Sequence, residues 1–291
     1  MKTTPALIAV AAALSLALVC TANVFPVTVT DDRGREIRIA SRPERIVAVG
    51  ALYAQILVDL GGIDRLVAVG ETSDNPPEVL ALPSAGPTYA PNVELILALE
   101  PDLVLGATDW GGERPMLEAA GVAVLTTPYL TSVAAIFETI RTIGSAIGAV
   151  EQSDAEIGRI ATQIVQAEAL AIGKPAVTAA FLYASSTDDP PHVAGSDAIE
   201  HELILRAGGV NVFSELPWTS QVSFEEIIAR DPQVIFVAPS QIENITRQPL
   251  LQGVSAVIND RVVGIRASLV ASTRIAEALR AMIEGLHGVS P

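Results

Sequence analysis

One local pattern occurs twice in the chain, and it limits the fold more than any other feature does. In residues 92–105 and again in residues 222–236, a short helical segment ends before a proline, and a continuous apolar strand follows. Strands that are buried on both faces have such unbroken apolar runs, and helices between them provide parallel crossover connections. The two copies therefore predict two α/β lobes, each with a parallel sheet.

One long amphipathic helix lies between the two copies. Residues 150–174 place isoleucines at helical spacing, and Gly173 and Pro175 end the pattern. A helix of about 20 residues is roughly 30 Å long, enough to run from one lobe to the next. We predict an N-terminal α/β lobe at 23–149, a linking helix at 150–174 and a C-terminal α/β lobe at 175–291. The predicted fold class is α/β, with two Rossmann-like lobes of parallel sheets joined by one long helix and a ligand cleft between them.

The first 22 residues have the features of an export signal. Lys2 precedes an uncharged apolar run at residues 6–19, which has the length of a signal-peptide core and is shorter than the ~20 residues of a membrane-spanning helix. Two processing routes remain open: acylation of Cys20 gives a lipoprotein, and cleavage after Ala22 gives a free protein. Both routes predict an exported protein, in the periplasm or at the outer face of the cytoplasmic membrane.

Charge and motifs argue against nucleic-acid binding and against catalysis. The net charge of −15 provides no cationic surface for phosphate groups. The sequence contains no nucleophile elbow, phosphate-binding loop or dinucleotide-binding glycine motif. Its three histidines are too few for a multi-histidine metal site. We therefore predict that the protein is not an enzyme and has no catalytic residues, no metal site of its own and no resident cofactor.

Aromatic and polar side chains gather where the predicted strands end. The carboxyl ends of parallel strands form the binding crevice of an open α/β sheet, so these side chains are candidates for contact with a ligand. Aromatic rings at such positions can stack on a large, flat ligand. The candidate substrate-binding residues are Tyr53, Ser73, Asp74, Tyr89, Asp109, Trp110, Tyr129, His192, Trp218, Ser240 and Arg266.

Two glutamates occupy matching positions in the two copies of the repeat. Glu113 lies twelve positions after Pro101, and Glu243 lies eleven positions after Pro232. Each is predicted to lie on the outer rim of its lobe, where matched carboxylates can pair with arginines of a two-fold-related membrane protein. The alternative is that both are ordinary acidic surface residues, which contribute little energy. We predict that the two glutamates dock to such a membrane partner.

Several short segments, in a fixed order, carry a resemblance to a known family. They are residues 27–35, 42–47, 76–78, 92–94 with 101–104, and 222–225 with 231–232. With these segments in this order, the chain resembles the class III substrate-binding proteins of ABC importers for ferric siderophores, haem and cobalamin. The resemblance implies two lobes that are joined by a single helix and move little against each other. It also implies one permease-docking glutamate on each lobe, for which Glu113 and Glu243 are the matching positions.

The resemblance further implies a function. The protein is expected to capture a metal chelate, cobalamin or a ferric siderophore, and to deliver it to an ABC permease dimer with its ATPase. It is expected to be a monomer that meets the membrane only through a lipid anchor or the permease. Two alternatives on the same fold remain open: a ligand-sensing lipoprotein, and a periplasmic chelatase-type enzyme that would use His192 with Asp188 and Asp189.

Overall fold

The computed structural model describes residues 25–72, 74–107 and 112–288. Within these ranges the chain forms an N-terminal hairpin and two larger sheets with helices packed around them. This arrangement confirms the predicted α/β class with two lobes of mainly parallel strands. In the same part of the chain, every helix is too short or too polar to cross a membrane.

The first lobe is a parallel sheet preceded by the hairpin. Its elements are β1 (Val27–Thr30), β2 (Glu36–Ile39), β3 (Ile46–Ala48), α1 (Ala51–Asp59), β4 (Leu66–Glu71), β5 (Ser84–Pro87), α2 (Val93–Ala98), β6 (Leu103–Ala107), α3 (Glu113–Ala119), β7 (Ala123–Thr127) and α4 (Val133–Ile147), with 3₁₀ turns at Ile63–Arg65 and Pro77–Val79. The sheet order is β5-β4-β3-β6-β7. The chain thus starts at the central strand and builds outwards on both sides, and the carboxyl end of β3 is a topological switch point.

The linking helix α5 (Val150–Glu168) leads through a 3₁₀ turn at Ala169–Ala171 into the second lobe. The elements of that lobe are β8 (Val177–Tyr183), β9 (His192–Ala194), α6 (Ile199–Arg206), β10 (Gly209–Asn211), β11 (Thr219–Gln221), α7 (Phe224–Arg230), β12 (Val234–Val237), α8 (Ile242–Thr246), α9 (Ser255–Ile258), β13 (Val262–Gly264), α10 (Ala267–Val270) and α11 (Ile275–His287), with 3₁₀ turns at Pro239–Gln241 and Pro249–Gly253. Strand β8 is central, with β12 and β13 on one side and β9 and β11 on the other. Strand β10 pairs in parallel with the first half of β8.

Helix α5 belongs to the cores of both lobes. It packs against α4 on one side and α11 on the other, and its Ile160 and Ile164 lie in one hydrophobic cluster that includes residues of both sheets. The turn between α4 and α5 is tight, because a Cβ on Gly144 would lie 2.5 Å from Ser153 Cβ. A continuous core through a stiff helix resists hinge motion between the lobes. The domain boundaries given above stay predictions.

A hydrogen bond from the second lobe also fixes the start of α4 in the first lobe. The Val133 N–H donates to Glu202 Oε2 at 2.9 Å. The other oxygen of Glu202 accepts from Arg206 Nε at 2.7 Å, and Arg206 also pairs with Glu168 of α5 at 2.6 Å. A carboxylate at a helix N-terminus satisfies an unpaired N–H and interacts favourably with the helix dipole.

We expect Glu202→Ala to lower the free energy of unfolding by about 1–2 kcal/mol, since a charge-assisted cap is lost between the lobes. Urea unfolding followed by circular dichroism measures this change. The control is Glu138→Ala, an exposed glutamate on α4. Equal effects of the two substitutions would contradict a capping role for Glu202.

Candidate functional site

A cavity of about 730 Å³ opens between the two lobes. It lies at the carboxyl ends of the strands, where α1 follows the central strand β3, and it faces the segment after β13 in the second lobe. The lining residues are Ala51, Leu52, Gln55, Asp74, Asn75, Pro76, Pro77, Glu78, Arg266, Ala267, Ser268, Leu269, Ala271, Ser272, Arg274 and Glu277. Its volume falls within the range of small-molecule and cofactor sites, and a location between lobes is typical of them.

The walls of this cavity carry nearly balanced charge. Asp74 and Glu78 in the first lobe face the side that contributes Arg266, Arg274 and Glu277. Arg274 Nη1 lies 3.8 Å from Glu277 Oε1, so part of the positive charge is already compensated. A cleft of this kind suits a ligand with many polar groups and little net charge, because a strongly anionic ligand needs uncompensated cations.

A hydrogen-bonded contact joins the two lobes next to the cavity. Thr273 Oγ1 of the second lobe donates to Asp59 Oδ2 at 2.5 Å, and Gln55 Nε2 donates to Asp59 Oδ1 at 2.8 Å. Burial raises the pKa of the Asp59 carboxyl, although both hydrogen bonds act in the opposite direction. The contact joins the end of α1 to the loop before α11.

Two aromatic rings, one from each lobe, meet away from this cavity. Tyr129 follows β7 in the first lobe and Trp218 precedes β11 in the second, and their ring centroids lie 5.6 Å apart at an interplanar angle of 88°. Such edge-to-face pairs are favourable beyond the area that they bury. Both side chains remain partly exposed, at 46% and 43%. The structure thus brings together two of the candidate ligand-contacting residues across the cleft.

The structure places the other candidates at different depths. Tyr53 is buried, and its hydroxyl lies 3.0 Å from Thr127 Oγ1 at the end of β7. Tyr89 is exposed beyond β5, and His192 is exposed at the start of β9. Ser240 is exposed in the 3₁₀ turn after β12. Asp74 and Arg266 line the cavity itself. Cys20, Ser73, Asp109 and Trp110 lie outside the described residues.

Sequence reasoning missed several cleft residues because they lie on helices or in the segment just before one, and not directly after a strand. Gln55 is on α1, Ser272 and Arg274 precede α11, and Glu277 is in its first turn. The signal that points to Gln55 is its position one turn into the helix that follows the central strand, at the switch point of the sheet. Within the described ranges, no cluster of three or more His, Cys, Asp or Glu side chains is arranged to hold a metal ion.

A half-buried carboxyl lies at the end of the central strand of the second lobe. Glu200, in the first turn of α6, hydrogen-bonds the Tyr183 hydroxyl. Burial raises the pKa of the Glu200 carboxyl, and the bond to Tyr183 opposes this effect. Burial beside Glu200 also raises the pKa of Tyr183. The charged form of Glu200 is therefore disfavoured in the folded protein.

This pKa direction predicts a pH dependence of stability. A raised pKa means that protonated Glu200 stabilises the fold fully below the ordinary glutamate pKa of about 4.3, and that this contribution is lost as pH rises through the folded-state value. Glutamine stays neutral at every pH, so the Glu200→Gln variant does not lose this contribution. We therefore expect its free energy of unfolding to rise relative to that of the wild type between pH 4 and pH 8, by about 1.4 kcal/mol for each unit by which the pKa is raised. Urea unfolding across this range measures the difference. A stability difference between Glu200→Gln and the wild type that stays constant with pH would contradict the prediction.

Acidic residues at helix starts form two matched pairs. Glu113 begins α3 after β6, and Glu243 lies in the first turn of α8 after β12, so the two positions are equivalent in the two lobes. Glu243 is exposed and pairs with Arg247 at 3.2 Å. A second pair, Glu94 and Glu225, lies in the first turns of α2 and α7, the helices that precede β6 and β12. Both glutamates of this second pair are exposed.

Comparison with known proteins places the chain in a family. Residues 46–269 match the periplasmic binding protein family. The chain belongs to this family. It is 25% identical to an uncharacterised ABC transporter substrate-binding lipoprotein of Bacillus subtilis, over 91% of this chain and 87% of that protein. It is 29% identical to a vitamin B12-binding protein of Yersinia pestis, over 75% of this chain and 79% of that protein.

The solved structure of a similar protein has the same fold as this chain. The periplasmic heme-binding protein RhuT of Roseiflexus sp. RS-1, in its apo form, superimposes with a TM-score of 0.76 and 26% identity, and the match covers 84% of this chain and 99% of that chain. These comparisons confirm the family resemblance drawn from the sequence segments. The relatives are binding proteins of ABC transport systems and periplasmic binding proteins, and this chain is a member of the same group.

Proposed function

We propose that this binding protein is exported, captures a metal chelate in the cleft between its lobes, and delivers the chelate to an ABC permease dimer with its ATPase. Cobalamin is the first candidate ligand and a ferric siderophore the second. The protein has no chemistry of its own and no resident cofactor; the metal arrives inside the ligand. It acts as a monomer, either anchored through Cys20 or free after removal of residues 1–22.

The observation that carries this proposal is the cleft itself. Its open part measures about 730 Å³, its charged groups are nearly balanced, and two aromatic rings border its far end. Cobalamin presents a large ring system with many neutral amide groups, which fits polar walls of low net charge and aromatic contacts. A ferric catecholate is strongly anionic and fits this charge pattern less well. The similarity to a vitamin B12-binding protein also favours cobalamin over a ferric siderophore as the ligand.

Isothermal titration of the purified protein with cobalamin, haem, a ferric hydroxamate and a ferric catecholate tests the proposal. We expect saturable one-to-one binding of cobalamin with a dissociation constant in the micromolar range or tighter, and much weaker binding of the catecholate. Asp74→Ala and Arg266→Ala, which alter the cleft, should weaken binding, whereas the exposed control Arg247→Ala outside it should not. Absence of binding across the panel would contradict the proposed ligand class.

Docking to the permease is assigned to matched acidic residues on the two lobes. The pair Glu113 and Glu243 remains a candidate, and Glu94 with Glu225 is the second candidate pair. The surface beside the second pair also exposes apolar side chains, with Leu95 next to Glu94 and Ile228 one turn after Glu225. Apolar contacts flanked by charges are typical of protein interfaces, and matched copies on two lobes fit a two-fold-related partner.

A further inference from the structure

The cleft has one open end and one end that is bridged by side chains. The open cavity lies between the loops after β4 and β13, whereas Tyr129 and Trp218 meet between the loop after β7 and the loop before β11. β4 and β7 lie on opposite sides of β3, and β13 and β11 lie on opposite sides of β8. The Tyr129–Trp218 contact, called the aromatic bridge from here on, therefore spans the two lobes at the end opposite the cavity.

The backbone at Trp218 is held in an unusual conformation. Trp218 has φ of +31°, in a region that bulky L-residues rarely adopt. Its carbonyl accepts a hydrogen bond from the Gly195 N–H, and the nearby Leu216 carbonyl accepts from the Ser196 N–H at 2.8 Å. Ser220 Oγ donates to the Pro217 carbonyl at 2.9 Å. These bonds hold the loop so that the indole ring reaches the first lobe.

Strained conformations that surrounding contacts maintain are concentrated at ligand clamps and switch regions. Resting on the proposed function, we propose that the aromatic bridge is a gate: it closes one end of the empty cleft, and the ligand exchanges the Tyr129–Trp218 contact for contacts of both rings with its own flat face. The gate favours chelates that have an extended, flat ring system. The flat face of such a ligand can contact both side chains and so replace the edge-to-face contact between them. The bridge thereby selects against small or spherical chelates, which cannot stack on both rings.

The gate is tested first in the protein without ligand. In a Trp110→Phe background, Trp218 is the only tryptophan, and its emission reports on the bridge alone. We expect Tyr129→Ala to raise the acrylamide quenching constant of Trp218 roughly twofold and to shift its emission to longer wavelength, since the ring loses its partner. Tyr89→Ala, which removes an exposed tyrosine elsewhere in the first lobe, is the matched control. Unchanged quenching in Tyr129→Ala would overturn the proposal.

Stopped-flow binding of cobalamin tests the second half of the proposal. Tyr129→Ala should speed association about three- to tenfold, because no aromatic contact has to be broken, and should speed dissociation by more than that, because a ring contact with the ligand is lost. Tyr129→Phe keeps the ring and should behave as the wild type does. Equal association rates in all variants would overturn the gate while leaving the proposed function intact. If the wild type binds no ligand of the panel, the proposed function fails and the quenching experiment alone decides whether the bridge exists.

Discussion

Replacing Gly195 by alanine is expected to lower the free energy of unfolding by about 2–4 kcal/mol and to weaken ligand binding at the same time. A Cβ at this position would clash with the Leu216 carbonyl oxygen and lie 2.9 Å from the Pro217 carbonyl carbon, and both atoms are backbone. Rotation of a side chain cannot relieve such a clash. The loop that holds Trp218 must therefore move away from β9, and the aromatic bridge opens with it.

Urea unfolding and calorimetric cobalamin titration measure the two effects of Gly195→Ala. The matched control is Gly158→Ala on α5, where an added Cβ meets no atom within 4 Å. That variant should be more stable than the wild type by roughly 0.5–1 kcal/mol, because alanine is the better helix former. If Gly195→Ala proves too unstable to purify, Trp218→Ala tests the loss of binding without the backbone clash. A Gly195→Ala variant with unaltered stability and affinity would show that the loop does not depend on this close contact.

The central strands could be predicted from the sequence because burial on both faces leaves an unbroken apolar run. The runs at residues 46–49, 66–69, 103–105 and 234–237 contain or overlap β3, β4, β6 and β12. Strands β5, β9 and β11 gave no such signal. They are short, contain glycine, proline or polar residues, and lie towards the edges of their sheets, so their pairing depends on tertiary contacts rather than on local pattern.

The location of the cleft could be predicted, but its contacts could not. Strand-end position pointed to Asp74 and Arg266, which line the cavity; their contact with a ligand stays a prediction. The same rule does not distinguish Tyr53, whose ring packs inward from α1, from Tyr89, which is exposed to solvent. The Tyr129–Trp218 contact depends on how the lobes are oriented by α5 and by their shared core. That orientation is a property of packing between distant segments, which single-strand patterns do not contain.

Removing Glu94 and Glu225 together is expected to reduce uptake of the ligand roughly tenfold or more while leaving its affinity for the purified protein unchanged. Asn92 and Ser223, the capping residues of α2 and α7, accept hydrogen bonds from backbone N–H groups and fix the two helix starts in the same way in both lobes. Among the residues that the structure describes, neither glutamate has an ion-pair partner, so both carboxylates are available to arginines of the permease. Loss of both removes the two charges that orient the protein on a two-fold-related surface.

The pair Glu113 and Glu243 should have a smaller effect when both are changed to alanine, because Glu243 is already paired with Arg247 and must exchange that partner on docking. Uptake of labelled ligand by cells that carry each double variant, with calorimetry on the purified proteins, separates docking from ligand binding. The control pair is Glu36→Ala with Asp154→Ala, two exposed acidic residues that have no symmetric counterparts in the repeat. A larger loss for Glu113 and Glu243 would assign docking to α3 and α8. Equal uptake in all three double variants would show that permease recognition does not depend on matched carboxylates, and would leave the exposed apolar side chains Leu95 and Ile228 as the contacts to change next.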